Sequence, residues 1–190
     1  MRLSVVELKP THVEPVLALL RQTPILDALG LERCPSAADL LSGEAWTKFD
    51  GQACLQQVRW WIIEADGSPR WGAIEYGWRG ALDSSRELDL FRLTDASALQ
   101  DDILWGLWLL VRAVMQRRQS RRVRWQVSKE QGKGRIYRRL GVHPLGEFEL
   151  EGGTREVFEL SRKRFERVEE ALGPGEGRGR LLAAWRATVN

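Results

Sequence analysis

A thirteen-residue stretch near the middle of the chain, ILWGLWLLVRAVM at 103–115, is apolar almost all round when it is read as a helix. Ser97 and Gln100 form a capping box before it. A helix without a polar face has to be covered on both sides. It is also interrupted by Arg112 and is shorter than the roughly 20 apolar residues that span a bilayer. The sequence therefore predicts a buried central helix over roughly 98–118.

Runs of β-branched and aromatic residues before this helix predict strands. The run VRWWIIEA from Val58 is typical of a strand that is covered on both faces. Asp66-Gly67-Ser68-Pro69 then signals a turn, after which WGAIEYGW alternates as a second strand. A third strand, RELDLFRL at 86–93, changes the parity of its apolar residues between Leu90 and Phe91. Either both of its faces are buried or a β-bulge switches them, and we favour the bulge.

The N-terminal third is less regular. A short strand at 3–8 precedes a helix that begins near Thr11. Ser36 and Asp39 resemble the cap of a second helix. Residues 44–57 are predicted to be helix or loop.

After the central helix the pattern returns to strands. RVRWQVS at 122–128 predicts a strand parallel to the one at 86–93, because a helix joins the two. EFEL and REVFEL flank a glycine-containing hairpin at 151–154. We expect an α/β fold with a mixed, mostly antiparallel curved sheet around the buried central helix. Residues 1–160 would form the domain, followed at 161–190 by a charged helix, a glycine-rich linker and a short terminal helix.

Composition excludes several classes of protein. A net charge of +3 is too small to indicate a nucleic-acid or membrane partner. Two cysteines and two histidines make neither a disulfide framework nor a convincing zinc site, so we expect no metal and two reduced thiols. The N-terminus, MRLSVVELKP, lacks the apolar region of a signal peptide. We therefore expect a cytoplasmic protein.

The order of these elements resembles the GNAT superfamily of N-acetyltransferases. Residues 137–142, Tyr-Arg-Arg-Leu-Gly-Val, also resemble the Tyr-x-x-Leu-Gly-Phe segment of that family, and they stand where the family has it. The resemblance covers about residues 3–160. It implies the acyl-CoA N-acyltransferase fold, acetyl-CoA or another acyl-CoA as co-substrate, and a small-molecule or protein amine as acceptor. Nucleic acid and membrane are not expected partners, and a homodimer is allowed.

The resemblance also implies where the co-substrate binds. The family holds the acyl-CoA pyrophosphate with Gln/Arg-x-x-Gly-x-Gly/Ala at the start of the central helix, where free backbone N–H groups attract phosphate. Gln100 fits the first position here, but Ile103 and Trp105 stand in place of the glycines, and Asp101 and Asp102 add like charge. This departure is an objection to ordinary acetyl-CoA binding. The other residues predicted to contact the co-substrate are Phe91, Leu93 and Thr94.

Candidate catalytic groups follow from the same resemblance. Tyr137 stands at the position of the general acid that protonates the departing thiolate. Glu87 and Asp89 on the strand at 86–93 are candidate general bases, with solvent-facing carboxylates as the alternative. His143 is a weaker candidate, since its place between Gly141 and Pro144 is typical of a loop histidine.

A basic run extends from Arg112 to Arg139, with eleven Lys or Arg residues and one acid. It is typical of a solvated face. Alternatively, Lys129, Lys133 or Arg135 contacts the phosphates of CoA and compensates for the missing glycines, or the run contacts nucleic acid. No RNA-binding signature with interleaved aromatic residues accompanies it.

Two functions remain open from the sequence. The first is a GNAT-type N-acyltransferase that transfers an acetyl or acyl group from acyl-CoA to an amine. The alternative is a catalytically inactive GNAT-fold binding or regulatory protein that has lost acetyl-CoA binding.

Overall fold

A computed structural model describes residues 2–49, 52–77, 85–92, 100–118, 120–129, 138, 142–150, 153–173 and 179. The chain divides into two compact units. The first unit consists of Met1–Gly80 with Glu87–Ser97, and the second of Ala81–Arg86 with Ala98–Asn190.

The first unit combines a sheet with three short helices. Its strands stand in the order β1-β3-β4-β5, and β2 pairs with the N-terminal part of β3. In chain order the elements are β1 (Leu3–Glu7), a 3-10 helix (Pro10–His12), α1 (Val13–Leu20), α2 (Thr23–Ala28), α3 (Ala37–Ser42), β2 (Glu44–Phe49), β3 (Gln52–Ala65), β4 (Ser68–Gly77) and β5 (Ser85–Arg92).

Strands β3 and β4 form the hairpin that the turn signal predicted. Asp66 and Gly67 both have positive φ, 49° and 79°. A two-residue turn with this geometry is type I′, which matches the twist of the strands it joins. The run from Val58 is buried on both faces, with Trp60, Trp61, Ile62 and Ile63 all withdrawn from solvent. Both predictions are confirmed.

The prediction of helix or loop for residues 44–57 is wrong. This segment forms β2 and the start of β3, an antiparallel pair in register from Glu44↔Gln57 to Phe49↔Gln52. Burial alternates along β2, where Ala45 and Thr47 are buried. The sequence signal was the Asp-Gly pair at 50–51 between two alternating runs, a hairpin signature that outweighs the helix-compatible residues around it.

Helix α3 begins and ends as its sequence dictates. Ser36 Oγ accepts from Asp39 N at 3.1 Å, and Asp39 Oδ2 accepts from Ser36 N at 2.8 Å, so the predicted capping box is confirmed. Gly43 ends the helix with a left-handed φ of 71°. A Cβ at Gly43 would lie 2.8 Å from the carbonyl oxygen of Val58, so only glycine fits where the helix turns into β2.

Helices α1 to α3 cover one face of the sheet with apolar side chains. Residues of α1 recur at helical spacing toward the sheet, and they pack with alternate residues of β3 and β4. The buried cluster includes Val13, Val16, Leu17, Leu20, Leu40, Val58, Trp60, Ile62 and Ile74.

The second unit contains the predicted central helix and an antiparallel sheet in the order β6-β8-β7. From 105 to 115 every residue of the helix is buried or half-buried, which confirms its all-round apolar pattern. The C-terminal hairpin is also confirmed, although each strand is longer than predicted. The elements are α4 (Gln100–Arg118), β6 (Arg122–Ser128), β7 (His143–Leu150), β8 (Gly153–Ser161) and α5 (Arg162–Leu172).

Helix α5, the charged helix of the sequence analysis, is attached to α4 by polar contacts. Glu169 accepts from Trp108 Nε1 at 2.7 Å and from Arg112 Nη2 at 2.9 Å. The Trp108 and Phe165 rings also lie 5.4 Å apart. Arg162 donates to the carbonyl of Met115 in the last turn of α4, where a basic side chain interacts favourably with the C-terminal carbonyls.

The described strand pairings with a defined register are antiparallel. The parallel relation of the strand at 86–93 to that at 122–128 stays a prediction. So does the division of the chain at residue 160.

Candidate functional site

Four of the predicted site residues lie on two described elements. Glu87, Asp89 and Phe91 belong to β5, which confirms the predicted strand, and Gln100 is the first residue of α4. The choice between a bulge in β5 and burial of both its faces stays open. A helix that starts at Gln100 leaves its first backbone N–H groups without intrahelical partners, as an anion site requires.

The other predicted site residues lie outside the described residues. These are Leu93, Thr94, Lys133, Arg135 and Tyr137. Their roles therefore stay predictions.

Within the Tyr-Arg-Arg-Leu-Gly-Val segment at 137–142, the structure describes Arg138 and Val142. Arg138 Nη2 donates to Glu156 Oε1 on β8. Val142 is buried, and β7 follows it directly. The segment is thus tied to the sheet by an ion pair at one described position and by burial at another.

His143 is the first residue of β7, where it pairs in register with Glu159 of β8. The interpretation of a loop histidine is therefore wrong. Pro144 did not end the strand because the register shifts between Pro144 and Gly146, and a proline is tolerated at such an irregularity.

The basic run is largely paired with carboxylates in its described part. Arg112 pairs with Glu169 of α5, Arg122 and Arg124 pair with Glu159, and Lys129 pairs with Glu147. Acidic residues of β7, β8 and α5 thus neutralise much of the charge that is concentrated in the sequence. This pairing argues against a nucleic-acid surface, which needs uncompensated cations.

Lys129 shows the effect of this pairing on titration. Its Nζ lies 2.7 Å from Glu147 Oε2, and this hydrogen bond raises the pKa of the lysine, with smaller Coulombic contributions from Glu147, Glu156 and Glu149. Glu147 and Glu156 stand directly opposite each other in the β7–β8 register. Because like charges opposite each other destabilise a sheet, each carboxylate has its own cation, Lys129 or Arg138.

The first unit holds two polar contacts that the sequence analysis did not find, one buried and one partly buried. Trp61 Nε1 donates to Glu75 Oε2 at 2.8 Å, with both residues buried. His12 Nδ1 accepts from Lys9 N, which leaves the Nε2 proton to donate to Glu64 Oε1 at 3.1 Å.

Ser4 completes the second contact without making a nucleophile. Its Oγ donates to Glu64 Oε2 at 3.2 Å rather than to the histidine. In a serine–histidine–carboxylate triad the serine donates to the histidine, whereas here Ser4 and His12 both donate to the same carboxylate. The His12–Glu64 contact therefore fixes the start of α1 against β3.

The cysteines are free thiols. Burial raises the pKa of the Cys34 thiol, which makes it a weak nucleophile. Among the described residues no cluster of three or more His, Cys, Asp and Glu side chains could hold a metal ion.

Glu156 is the most informative residue that the sequence analysis missed. It precedes Phe158 and Leu160 at strand spacing, and all three are buried. A carboxylate in phase with the core residues of an alternating strand is a detectable signal, because such a group needs a partner. This signal was missed because Glu156 is one of several acidic residues between positions 147 and 159.

Comparisons with known proteins give no match to any family model and no match to a curated protein sequence. In the part of the chain that the structure describes, no helix is both long and apolar enough to cross a membrane.

Solved structures do match. Aminoglycoside acetyltransferase AAC(6')-Ib in complex with coenzyme A is 16% identical, with 87% of this chain and 98% of that chain covered and a TM-score of 0.65. The aminoglycoside N(6')acetyltransferase from Legionella pneumophila is 16% identical over 89% and 97%, with a TM-score of 0.61.

RimL, a ribosomal L7/L12 alpha-N-protein acetyltransferase in complex with coenzyme A, is 11% identical over 85% and 95%, with a TM-score of 0.60. These proteins differ in acceptor and share one fold, which confirms the expected α/β class. This chain has the GNAT, or acyl-CoA N-acyltransferase, fold.

Proposed function

We propose that the protein is a GNAT-type N-acyltransferase, which transfers an acetyl or acyl group from acyl-CoA to an amine. The observation that carries the proposal is the match of nearly the whole fold to N-acetyltransferases, two of them in complex with coenzyme A. Fold alone does not fix chemistry. The second support is Tyr137, which stands in the segment that resembles the family motif.

The proposed reaction forms one bond and breaks one. Glu87 or Asp89 accepts a proton from the acceptor ammonium, directly or through water, and frees the lone pair of the amine. The nitrogen attacks the thioester carbonyl, whose oxygen accepts from a backbone N–H near Phe91 or Leu93. The C–N bond forms, the C–S bond breaks, and Tyr137 gives its proton to the departing thiolate.

Two opposing effects at the start of α4 bear on the binding of the co-substrate. The first N–H groups of this helix suit a pyrophosphate, and the family resemblance assigns contacts with it to Gln100 and Thr94, but Asp101 and Asp102 would repel it. Lys133 and Arg135 would supply the missing positive charge. The paired state of Lys129 supports assigning this contact to the other two cations.

One sequence feature favours a second candidate. With Ile103 and Trp105 in the glycine positions, a GNAT-fold binding or regulatory protein would need no acetyl-CoA. The two candidates differ in turnover. The first releases thiol from acetyl-CoA when an amine is present, and the second does not.

The test measures thiol release from acetyl-CoA against a panel of amines, including aminoglycosides and peptides with free N-termini. Tyr137→Phe should lower turnover roughly 100-fold, because a positioned general acid contributes about 10²-fold or more, while affinity for CoA persists.

The chain offers a matched control, since Tyr76 is its other tyrosine. The Tyr76 hydroxyl donates to the carbonyl of Leu29 at 2.7 Å within the first unit, so Tyr76→Phe should keep turnover. No thiol release with any amine contradicts the proposed function. A fully active Tyr137→Phe protein removes the proposed acid and keeps the transferase.

A further inference from the structure

A histidine takes the place of the usual acid or amide in the cap that closes the turn before α1. His12 is the third residue of the 3-10 helix, and its Nδ1 accepts from the backbone N–H of Lys9 at 3.1 Å. The backbone N–H of His12 donates in return to the carbonyl of Lys9 at 2.9 Å. Glu or Gln ordinarily holds this position of a capping box, because each accepts through a side-chain oxygen. Imidazole accepts only through a nitrogen that carries no proton.

The same ring makes a second contact through its other nitrogen. Nε2 of His12 lies 3.1 Å from Glu64 Oε1, and Glu64 Oε2 accepts from Ser4 Oγ at 3.2 Å. The side chains of His12 and Glu64 are 7% and 14% exposed, so water has little access to either group. Because Nδ1 is an acceptor, Nε2 carries the proton and donates to Glu64. The ring is thus held as one neutral tautomer between the turn and β3.

The two contacts respond in opposite ways to a second proton on the ring. An imidazolium has two N–H donors and no acceptor, so Nδ1 would face the backbone N–H of Lys9 donor to donor. The contact with Glu64 would join two opposite charges and become stronger. Protonation therefore breaks the hydrogen bond that closes the turn, while it keeps the ring attached to β3.

We propose that His12 is a pH-sensitive contact, which closes the turn before α1 when its ring is neutral and opens the turn when the ring is protonated. Histidine is the side chain that ordinarily changes its charge between pH 5 and 8. The turn leads directly into α1, whose Val13 and Val16 belong to the buried cluster of the first unit. This contact lies within the first unit and does not depend on the proposed acyl transfer.

The charged groups around the ring come from three places. Glu64 of β3 is in contact with it. Lys9 and Glu14 come before and after it in the chain, and both are exposed. Glu7 of β1 pairs with Arg59 of β3, and the alternation of side chains along a strand places this pair on the opposite face of the sheet from Glu64. The carboxylate of Glu64 is therefore the described group that balances a charge on the ring.

The experiment follows the Lys9 amide by NMR-detected solvent exchange between pH 8 and pH 5, with rates corrected for the intrinsic effect of pH on exchange. Ring ¹⁵N shifts report the tautomer and the protonation of His12 in the same samples. We expect the Nε2–H tautomer at pH 8. As the ring gains its second proton, protection of the Lys9 amide should fall about fivefold, which corresponds to one ordinary hydrogen bond of about 1 kcal/mol. The two changes should have the same midpoint.

His12→Gln is the matched variant, because glutamine is a usual residue at this position of a capping box and has no charge to gain. In this variant the Lys9 amide should stay protected over the whole pH range. His143→Gln removes the other histidine of the chain and should leave the fall at Lys9 as it is in the wild type.

Three results in the wild type would overturn the proposal: a ring with its proton on Nδ1 at pH 8, a ring that stays neutral down to pH 5, or an unchanged Lys9 amide once the ring is protonated. A fall of equal size in His12→Gln would overturn it as well, since the imidazole could not then be its cause. None of these measurements requires turnover, so their outcome is separate from that of the test for thiol release.

Discussion

Two regions of the molecule solve the same problem, that of attaching a helix, in different ways. In the first unit α1 is attached to the sheet by apolar side chains such as Val16 and Leu20, both fully buried. In the second unit α5 is attached to α4 through Glu169, which accepts hydrogen bonds from Trp108 and Arg112. The first attachment is non-directional, whereas the second fixes individual atoms.

This difference has consequences for specificity and for solvent sensitivity. Apolar packing tolerates small shifts of a helix as long as the area stays buried. An arginine–carboxylate contact restricts the geometry of the helix more narrowly. The side chains of Arg112 and Glu169 are 29% and 24% exposed, so dissolved salt screens their attraction and weakens the contact. The following variants test this contrast.

The largest effect is expected for Leu20→Ala in α1. Leu20 is fully buried in the cluster of the first unit, so truncation leaves a cavity and lowers the free energy of unfolding by about 3 kcal/mol. Because the lost interaction is apolar, the loss should be the same in 0.05 M and 0.5 M NaCl. Urea unfolding at the two salt concentrations measures it, with the exposed Leu41→Ala as control. A loss that shrinks with salt would contradict the apolar interpretation.

A smaller effect, about 2 kcal/mol, is expected for Glu169→Ala in α5. The substitution leaves the buried Trp108 Nε1 without its acceptor and Arg112 without its carboxylate. Unlike the loss in α1, this one should decrease in 0.5 M NaCl. Glu170→Ala, an exposed position on the same helix, controls for helix propensity and net charge. Equal effects of the two substitutions would show that the attachment of α5 does not depend on Glu169.

The smallest effect concerns pH and the capping box of α3. The backbone hydrogen bond from Ser36, helped by its hydroxyl, lowers the pKa of Asp39 below its usual value. A carboxyl with a lowered folded-state pKa stabilises the fold above its unfolded pKa of about 3.9 and loses that contribution as the pH falls through the lowered value. Stability curves of wild type and Asp39→Asn should therefore differ at pH 6 and converge as the pH falls through the lowered pKa of Asp39. A constant difference would mean that the carboxylate charge is irrelevant to the cap.

Much of the fold could be predicted from local patterns. The turn at Asp66-Gly67, the cap at Ser36 and the buried central helix each depend on chemistry within a few residues. The prediction for residues 44–57 is wrong because the segment carries two competing signals, helix-compatible residues and an Asp-Gly hairpin signature at 50–51. The prediction followed the first signal, whereas the fold follows the second. Residue-level contacts such as Glu169 with Arg112 could not be foreseen, since 57 positions separate them in sequence.

The candidate site was less predictable than the fold. The sequence locates β5 and the start of α4, which hold Glu87, Asp89 and Gln100. It does not reveal which cations of the basic run remain free, because that depends on strand register. Pairing of Lys129 with Glu147 follows only from the alignment of β6, β8 and β7.

Binding of acetyl-CoA tests the central claim most directly, because the two candidate functions make opposite predictions for it. At 100 times its Kd a ligand that binds only the folded protein adds about 2.7 kcal/mol to the free energy of unfolding. We expect a rise of this size in the melting experiment with acetyl-CoA, and a markedly smaller one when Lys133 and Arg135 are both replaced by alanine. No rise at millimolar acetyl-CoA would contradict the assignment as an acyltransferase.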